Sequence, residues 1–322
     1  MSRTTERRES EDVHIPVLLE VVLEVGAPQP GERWVDCTLG RGGHSEALLK
    51  RGVELVAIDQ DPAAIDAAAQ RLDPYRDQLE LIAGNFRELP AHLEAIGWGS
   101  VDGILADLGV SSPQLDEAAR GFSFLRSGPV DMRMNLDAGE SAEQWLMRCS
   151  VDELTQVLRE YGEESFARPI SRAIKGWAEG GGGDTCSLAS TIEAALPARE
   201  RRRRKHHPAT KSFQAIRIRV NDELGALDAL LERAPGLLRP GGRALFITFH
   251  SLEDRRVKAA IRRLTEPPPS PRRGLPPPPS APLEFERRLR KARRADQREL
   301  GENPRARSAT LRALHRRSIA TE

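Results

Sequence analysis

Four short apolar runs mark the first third of the chain: WVDC (34–37), VELVAID (53–59), LELIAG (79–84) and VDGILADLG (101–109). Their hydrophobic positions are continuous rather than alternating, and stretches with helical spacing separate them. Continuous apolar strands joined by helices predict a parallel sheet covered on both faces. In DPAAIDAAAQRL (61–72), Asp61 is placed to cap a helix whose first position is Pro62. Ahead of the first strand, HIPVLLEVVLEVG (14–26) predicts a lead-in helix.

The rhythm changes after residue 115. SAEQWLMRCS, VDELTQVLREYG, ARPISRAIKGWAEG and SLASTIEAALP are amphipathic at helical period and are separated by Gly and Pro, including GGGG at 180–183. They predict an all-helical domain, 115–209, inserted after the fourth strand. The remaining parts are a charged tail (1–13), a first α/β part (14–114) and a second (210–322). The second part opens with one long predicted helix (212–238), a PGGR turn (240–243) and a strand, ALFITFHS (244–251). Residues 267–294 are rich in Pro and Arg, and 267–282 read as extended or disordered. ATLRALHRRS (309–318) alternates and predicts a terminal edge strand.

At 322 residues, with 39% hydrophobic and 30% charged, the chain can build one large domain or two modest ones. No apolar run approaches a membrane span, and MSRTTERRESED lacks the apolar core of a secretory signal. Cys37, Cys149 and Cys186 are far apart and form no CxxC, which excludes a zinc ribbon and argues against a disulfide framework. A cytoplasmic location is expected. The net charge of +1 hides an asymmetry: from Arg255 onward there are 19 Lys/Arg and 7 Asp/Glu. A second basic run is Arg201, Arg202, Arg203, Arg204 and Lys205. Such asymmetry suits a polyanion, and on charge alone a solvated face is an equal reading.

The chemistry concentrates at predicted strand ends. DCTLGRGGHS (36–45) follows the first strand and places Gly40, Gly42 and Gly43 before a helix. Glycine allows that tight turn and leaves room for a ligand against the backbone. Asp59 ends the second strand, about twenty residues on, where nucleoside-binding sheets grip ribose hydroxyls. The third glycine of the dinucleotide fingerprint is absent, which favours S-adenosylmethionine over NAD, since a methyl donor has no pyrophosphate to seat. Gly42, Gly43 and His44 are expected along its amino-acid portion. Phe86, in AGNF, suits an adenine ring or simply anchors a helix start.

DLGVSSPQLD (107–116) follows the fourth strand. Amino methyltransferases carry a [DNS]-P-P-[aromatic] motif there, and Ser112-Pro113-Gln114 is a divergent form of it. An exocyclic amine is a poor nucleophile because its lone pair is delocalised into the ring. Acceptors for its N–H groups help it attack in line. Asp107, Ser112 and Pro113 are the catalytic candidates, with an ordinary strand-end loop as the alternative. His250, Glu253 and Asp254 in HSLEDRRVK make a poor ligand set, and helix capping by Ser251 is the better reading, so no metal is expected. His206 and His207 are RNA-facing or solvated. Trp145 and Trp177 are assigned to the helical core.

HIPVLL, DCTLGRGGHS, AIDQDP, DLGVSSPQLD, GFSF, DMRM, YGEE, HPATKSFQAIRIRVNDEL, FHSLEDRRVK and ENPRARSATLR occur in this order. Across residues 14–314 the chain resembles the RsmH (MraW) family of bacterial 16S rRNA cytosine-N4 methyltransferases. The resemblance implies a class I, Rossmann-like α/β methyltransferase sheet with a helical insertion. It implies methyl transfer from S-adenosylmethionine to a cytidine N4 in the decoding region of 16S rRNA, within the small ribosomal subunit. It carries the cofactor site to Gly42, Gly43, His44, Asp59, Phe86, Asp107 and Gln114, and it names no catalytic base. Ala306 and Thr310 depart from the family's usual NPRSRSAKLR, removing a hydroxyl and a cation expected to touch RNA. A homodimer is left open. The competing readings are a DNA amino methyltransferase and a non-catalytic ribosome-assembly factor; an NAD oxidoreductase is disfavoured.

Overall fold

A computed structural model describes residues 16–267 and 282–318; the expected N-terminal tail and nearly all of the proline-rich run lie outside them. The four predicted strands form as β1 (Arg33–Asp36), β2 (Glu54–Asp59), β3 (Leu79–Ala83) and β4 (Val101–Asp107). With β5 (Leu238–Thr248), β6 (Phe285–Arg287) and β7 (Thr310–Arg316) they make one sheet in the order β3-β2-β1-β4-β5-β7-β6. β1 to β5 run parallel, and β7 is antiparallel to both of its neighbours. Successive strand residues enter opposite cores, as the unbroken apolar pattern requires. Val35, Ile104 and Phe246 pack on one face, and Trp34, Leu105 and Leu245 on the other.

In chain order α1 (Leu19–Gly26), α2 (Gly43–Leu49), α3 (Pro62–Leu72) and α4 (Leu89–Ala95) accompany the first strands. Asp61 caps α3 as expected, accepting the Ala63 N–H at 3.1 Å. The lead-in helix begins only at Leu19, because Leu18 is left-handed (φ 56°). A short α5 (Ser112–Asp116) leads into the insertion: α6 (Ala142–Arg148), α7 (Val151–Glu160), α8 (Ala167–Glu179), α9 (Thr185–Ala194) and α10 (Ala198–Arg203). Trp145 is fully buried in the insertion's own core, and Trp177 packs against it.

Three sequence expectations change here. The long helix splits into α11 (Thr210–Asn221) and α12 (Glu223–Leu237) at Asp222, which is left-handed (φ 46°, ψ 42°). The break is pinned by Asn221, whose amide donates to Met132 O and accepts the Met134 N–H, both at 2.7 Å. Phe213, Ala215 and Ile216 of α11 pack with the side chains of α6 to α9. PGGR is a bulge inside β5 rather than a turn before it. The register jumps between Val101↔Leu238 and Gly103↔Arg243, and Gly241 takes φ 84°.

The C-terminal strand is interior rather than an edge, since the three residues of β6 cover β7. The chain then continues through α13 (Ser251–Thr265), which follows β5, and α14 (Gln297–Glu302) precedes β7. Among the described residues no helix is long and apolar enough to cross a membrane.

Candidate active site

The loops at the C-terminal ends of β1 to β5 enclose one cleft, the usual ligand position in an open parallel sheet. Gly40 and Gly42 both take positive φ (51° and 76°), and a side chain at Gly43 would collide with Pro16 (2.4 Å). The tight turn and the close packing both require glycine. Asp36, fully buried, holds the loop by accepting from Ser45 Oγ (2.7 Å) and Thr38 N (3.1 Å). Burial raises its pKa.

Asp59 faces the cleft from the tip of β2. Its carboxylate accepts the Gly40 and Asp61 amide protons, each at 2.9 Å, so the second strand braces the glycine turn of the first. Burial pushes its pKa up to about 6, against the pull of those two amides. Each oxygen keeps a lone pair, and only the ionised carboxylate is a strong acceptor for a diol. Asp59→Ala is expected to weaken a nucleoside ligand by about 1–3 kcal/mol. In the wild type, affinity should fall as pH drops through about 6, where the carboxylate protonates. Calorimetric titration of the methyl donor from pH 8 to 5 checks both; a flat profile places the ribose elsewhere.

His44 is buried beneath the turn. Its Nε2 donates to Val17 O (3.0 Å), which leaves Nδ1 facing Asp107 Oδ2 at 3.7 Å. Asp107 ends β4, and its backbone N–H donates to Thr38 Oγ1 at 2.6 Å. Its Oδ1 is buried and has no hydrogen-bond partner among the described residues. Burial, then the carboxylates of Asp36 and Glu253, push its pKa well above the ordinary value. An acceptor held this way is poised for a donor brought by a ligand.

Phe86 opens a short 3-10 turn capped by Asn85. It lines the cleft while also packing on the sheet core. Ser112, Pro113 and Gln114 occupy the first turn of α5 at the same cleft. Gln114 is already engaged: Oε1 accepts the Ser111 N–H (2.9 Å), and Nε2 donates to Asp61 Oδ2 (3.0 Å). Asp61 in turn forms a buried ion pair with Arg120 at 2.7 Å. This triad was missed in the sequence, although Ser111-x-x-Gln114 carries the capping-box signature.

Capping of α13 falls to His250, not Ser251. His250 Nδ1 accepts the Glu253 N–H (3.4 Å), and Glu253 Oε2 accepts from Phe249 N (2.8 Å) and His250 N (3.2 Å). Ser251 instead donates to Glu163 Oε2 at 2.9 Å. The fold also brings Glu223 up, and possible ligand atoms of Glu223, His250 and Glu253 lie within 4.8 Å of one another. Arg217, however, engages both Glu223 oxygens (2.8 and 2.9 Å). The cap leaves the His250 proton on Nε2, with no lone pair there for a cation.

The basic run divides. Arg204 turns inward and donates to both oxygens of the buried Glu164 (2.8 and 2.7 Å), lowering that carboxyl's pKa. Arg201, Arg202, Arg203 and Lys205 are exposed on and after α10, together with His206 and His207.

Residues 11–317 match the model of the MraW methylase family. The chain belongs to the MraW methylase family. It is 50% identical over 308 residues to ribosomal RNA small subunit methyltransferase H of Anaeromyxobacter dehalogenans, covering 94% of this chain and 97% of that protein. The protein of the same name from Synechococcus is 46% identical over 316 residues, with 94% and 93% covered. A solved rRNA methylase from Streptococcus thermophilus aligns at 11% identity with a TM-score of 0.38, over 93% of this chain and 94% of that one. In this family member the two C-terminal departures are both buried. Ala306 is 1% exposed in the core, and Thr310 is buried in β7, its carbonyl accepting from Thr248 Oγ1 at 3.2 Å.

Proposed function

We propose that this protein transfers a methyl group from S-adenosylmethionine to the N4 amine of a cytidine in 16S rRNA. The observation that carries this reading is the orphaned, buried Oδ1 of Asp107, beside a glycine turn and the Asp59 carboxylate. Family membership and near-full-length identity to ribosomal RNA small subunit methyltransferase H proteins support it.

Bound in the cleft, S-adenosylmethionine supplies an electrophilic methyl on a sulfonium. Asp59 holds the ribose, Phe86 walls the adenine, and Gly42, Gly43 and His44 line the amino-acid portion. Asp107 accepts one N4–H of the cytosine, which frees the amine lone pair from the ring as the nitrogen turns pyramidal. Its raised pKa suits the same oxygen to receive the proton that the methylated amine sheds. Ser112 and Pro113 flank the base at the rim.

The test is incubation with labelled methyl donor and, separately, unmodified small subunits, naked 16S rRNA and duplex DNA, followed by nucleoside mass spectrometry. N4-methylcytidine in rRNA is the expected product; label confined to DNA overturns the reading. RNA attraction through the exposed basic run has its own check. Changing Arg201, Arg202, Arg203 and Lys205 to Gln, with Arg204 kept, should reduce the salt slope of RNA binding by about 0.7–0.9 for each phosphate no longer neutralised. Methyl-donor affinity measured alongside should not change.

A further inference from the structure

A second concavity lies away from the active cleft, where α13 meets the antiparallel pair β6 and β7. Ile261 and Leu289 contribute an apolar floor, and Lys258, Arg287, Arg290 and Arg312 supply a cationic rim. Two of these cations are balanced: Arg312 pairs with both oxygens of Asp254 (2.7 and 3.0 Å), and Arg287 pairs with Glu266. Lys258 and Arg290 have no hydrogen bond or carboxylate partner among the described residues. Both are exposed, so the hollow presents two uncompensated positive charges above an apolar base. That combination matches a phosphodiester strand, whose phosphates meet cations while its sugars cover carbon.

We propose that this hollow binds the backbone of the substrate RNA just outside the nucleotide being modified. The inference rests on the rRNA reading above. Position supports it. α13 begins at the active cleft, which Glu253 lines, and Lys258 lies five residues further along the same helix. At 1.5 Å per residue that is about 7.5 Å along the helix axis, with Lys258 turned about 140° from Glu253 around it. Each phosphate seated on Lys258 or Arg290 positions the RNA without reading its sequence.

The test uses the full-length protein with Lys258→Gln and Arg290→Gln combined, and a 16S rRNA transcript as probe, in binding titrations across KCl concentrations. The expected result is a log–log salt slope shallower by about 1.4–1.8, with methyl-donor binding unchanged. The conservative pair Lys258→Arg and Arg290→Lys should restore the slope, because charge rather than shape is required. An unchanged slope overturns the hollow even if the wild type methylates rRNA. Loss of methyl-donor binding in the Gln pair also overturns it, since the residues would then be structural. A reduced slope with no methylation of rRNA by the wild type keeps the hollow and removes the cytidine reading instead.

Discussion

Asp107→Asn should lower methyl transfer by about 10²–10³-fold, the usual loss when one preorganised transition-state partner is removed. The amide matches the carboxylate in shape, and the Thr38 contact is to the backbone N–H of residue 107, so the loop geometry should persist. What disappears is the negative charge and the capacity to take up a proton, while the amide oxygen remains a weaker acceptor for an N4–H. The two effects of this change oppose each other. Because the folded pKa of Asp107 stands above its unfolded value, the ionised carboxylate subtracts stability once pH exceeds the unfolded pKa. Asn removes that penalty, so the variant should melt higher than wild type at pH 8, and the gap should close toward pH 4. Single-turnover methylation together with thermal melts at the two pH values reads both effects. A variant that methylates at the wild-type rate ends the role assigned to this residue.

Arg120→Met should be the most destabilising of the changes considered, by about 3–5 kcal/mol, because it strands a buried carboxylate. Asp61 would lose its 2.7 Å partner and keep only the Gln114 amide and the Ala63 N–H. Arg120 also donates to the carbonyls of Arg133 (3.1 Å) and Met134 (2.7 Å), so the loop leading into the insertion would loosen as well. Urea denaturation measures the cost. Adding Asp61→Asn should recover part of it, because the uncompensated charge is then gone. A loss below about 1 kcal/mol would mean that water reaches Asp61 and the pair is not a structural tie.

The elements at the mouth of the cleft were the easiest to read from the chain. Strand β1, the glycine turn and Asp59 are contiguous in sequence, and their spacing is dictated by local geometry. Residues that act through distant partners were opaque. Arg204 looked like its three predecessors until the fold placed Glu164 against it, forty residues back. The insertion of Asp222 as a left-handed residue is invisible in an otherwise unbroken helical pattern. It arises because Asn221 hydrogen-bonds a loop nearly ninety residues earlier. β6 has three residues in an arginine-rich stretch, and its pairing comes entirely from β7. Ala306 and Thr310 illustrate the converse: the sequence showed only that a hydroxyl and a cation were lost there, whereas the fold shows that both positions are buried.

Interior placement of β7 also dictates when the molecule can first work. Leu18 N–H donates to Glu299, and Arg305, which lines the cleft, pairs with Asp116 through contacts of 2.8 Å. These ties join the start of α1 and the end of α5 to Glu299 and Arg305, far along the sequence. A growing chain can form β1 to β4 early, but β5 then waits with an open edge until β7 arrives. The finished cleft therefore depends on contacts from residues that follow β5 by some fifty positions or more in the sequence. Any partially synthesised copy carries a cofactor loop without the wall that completes it.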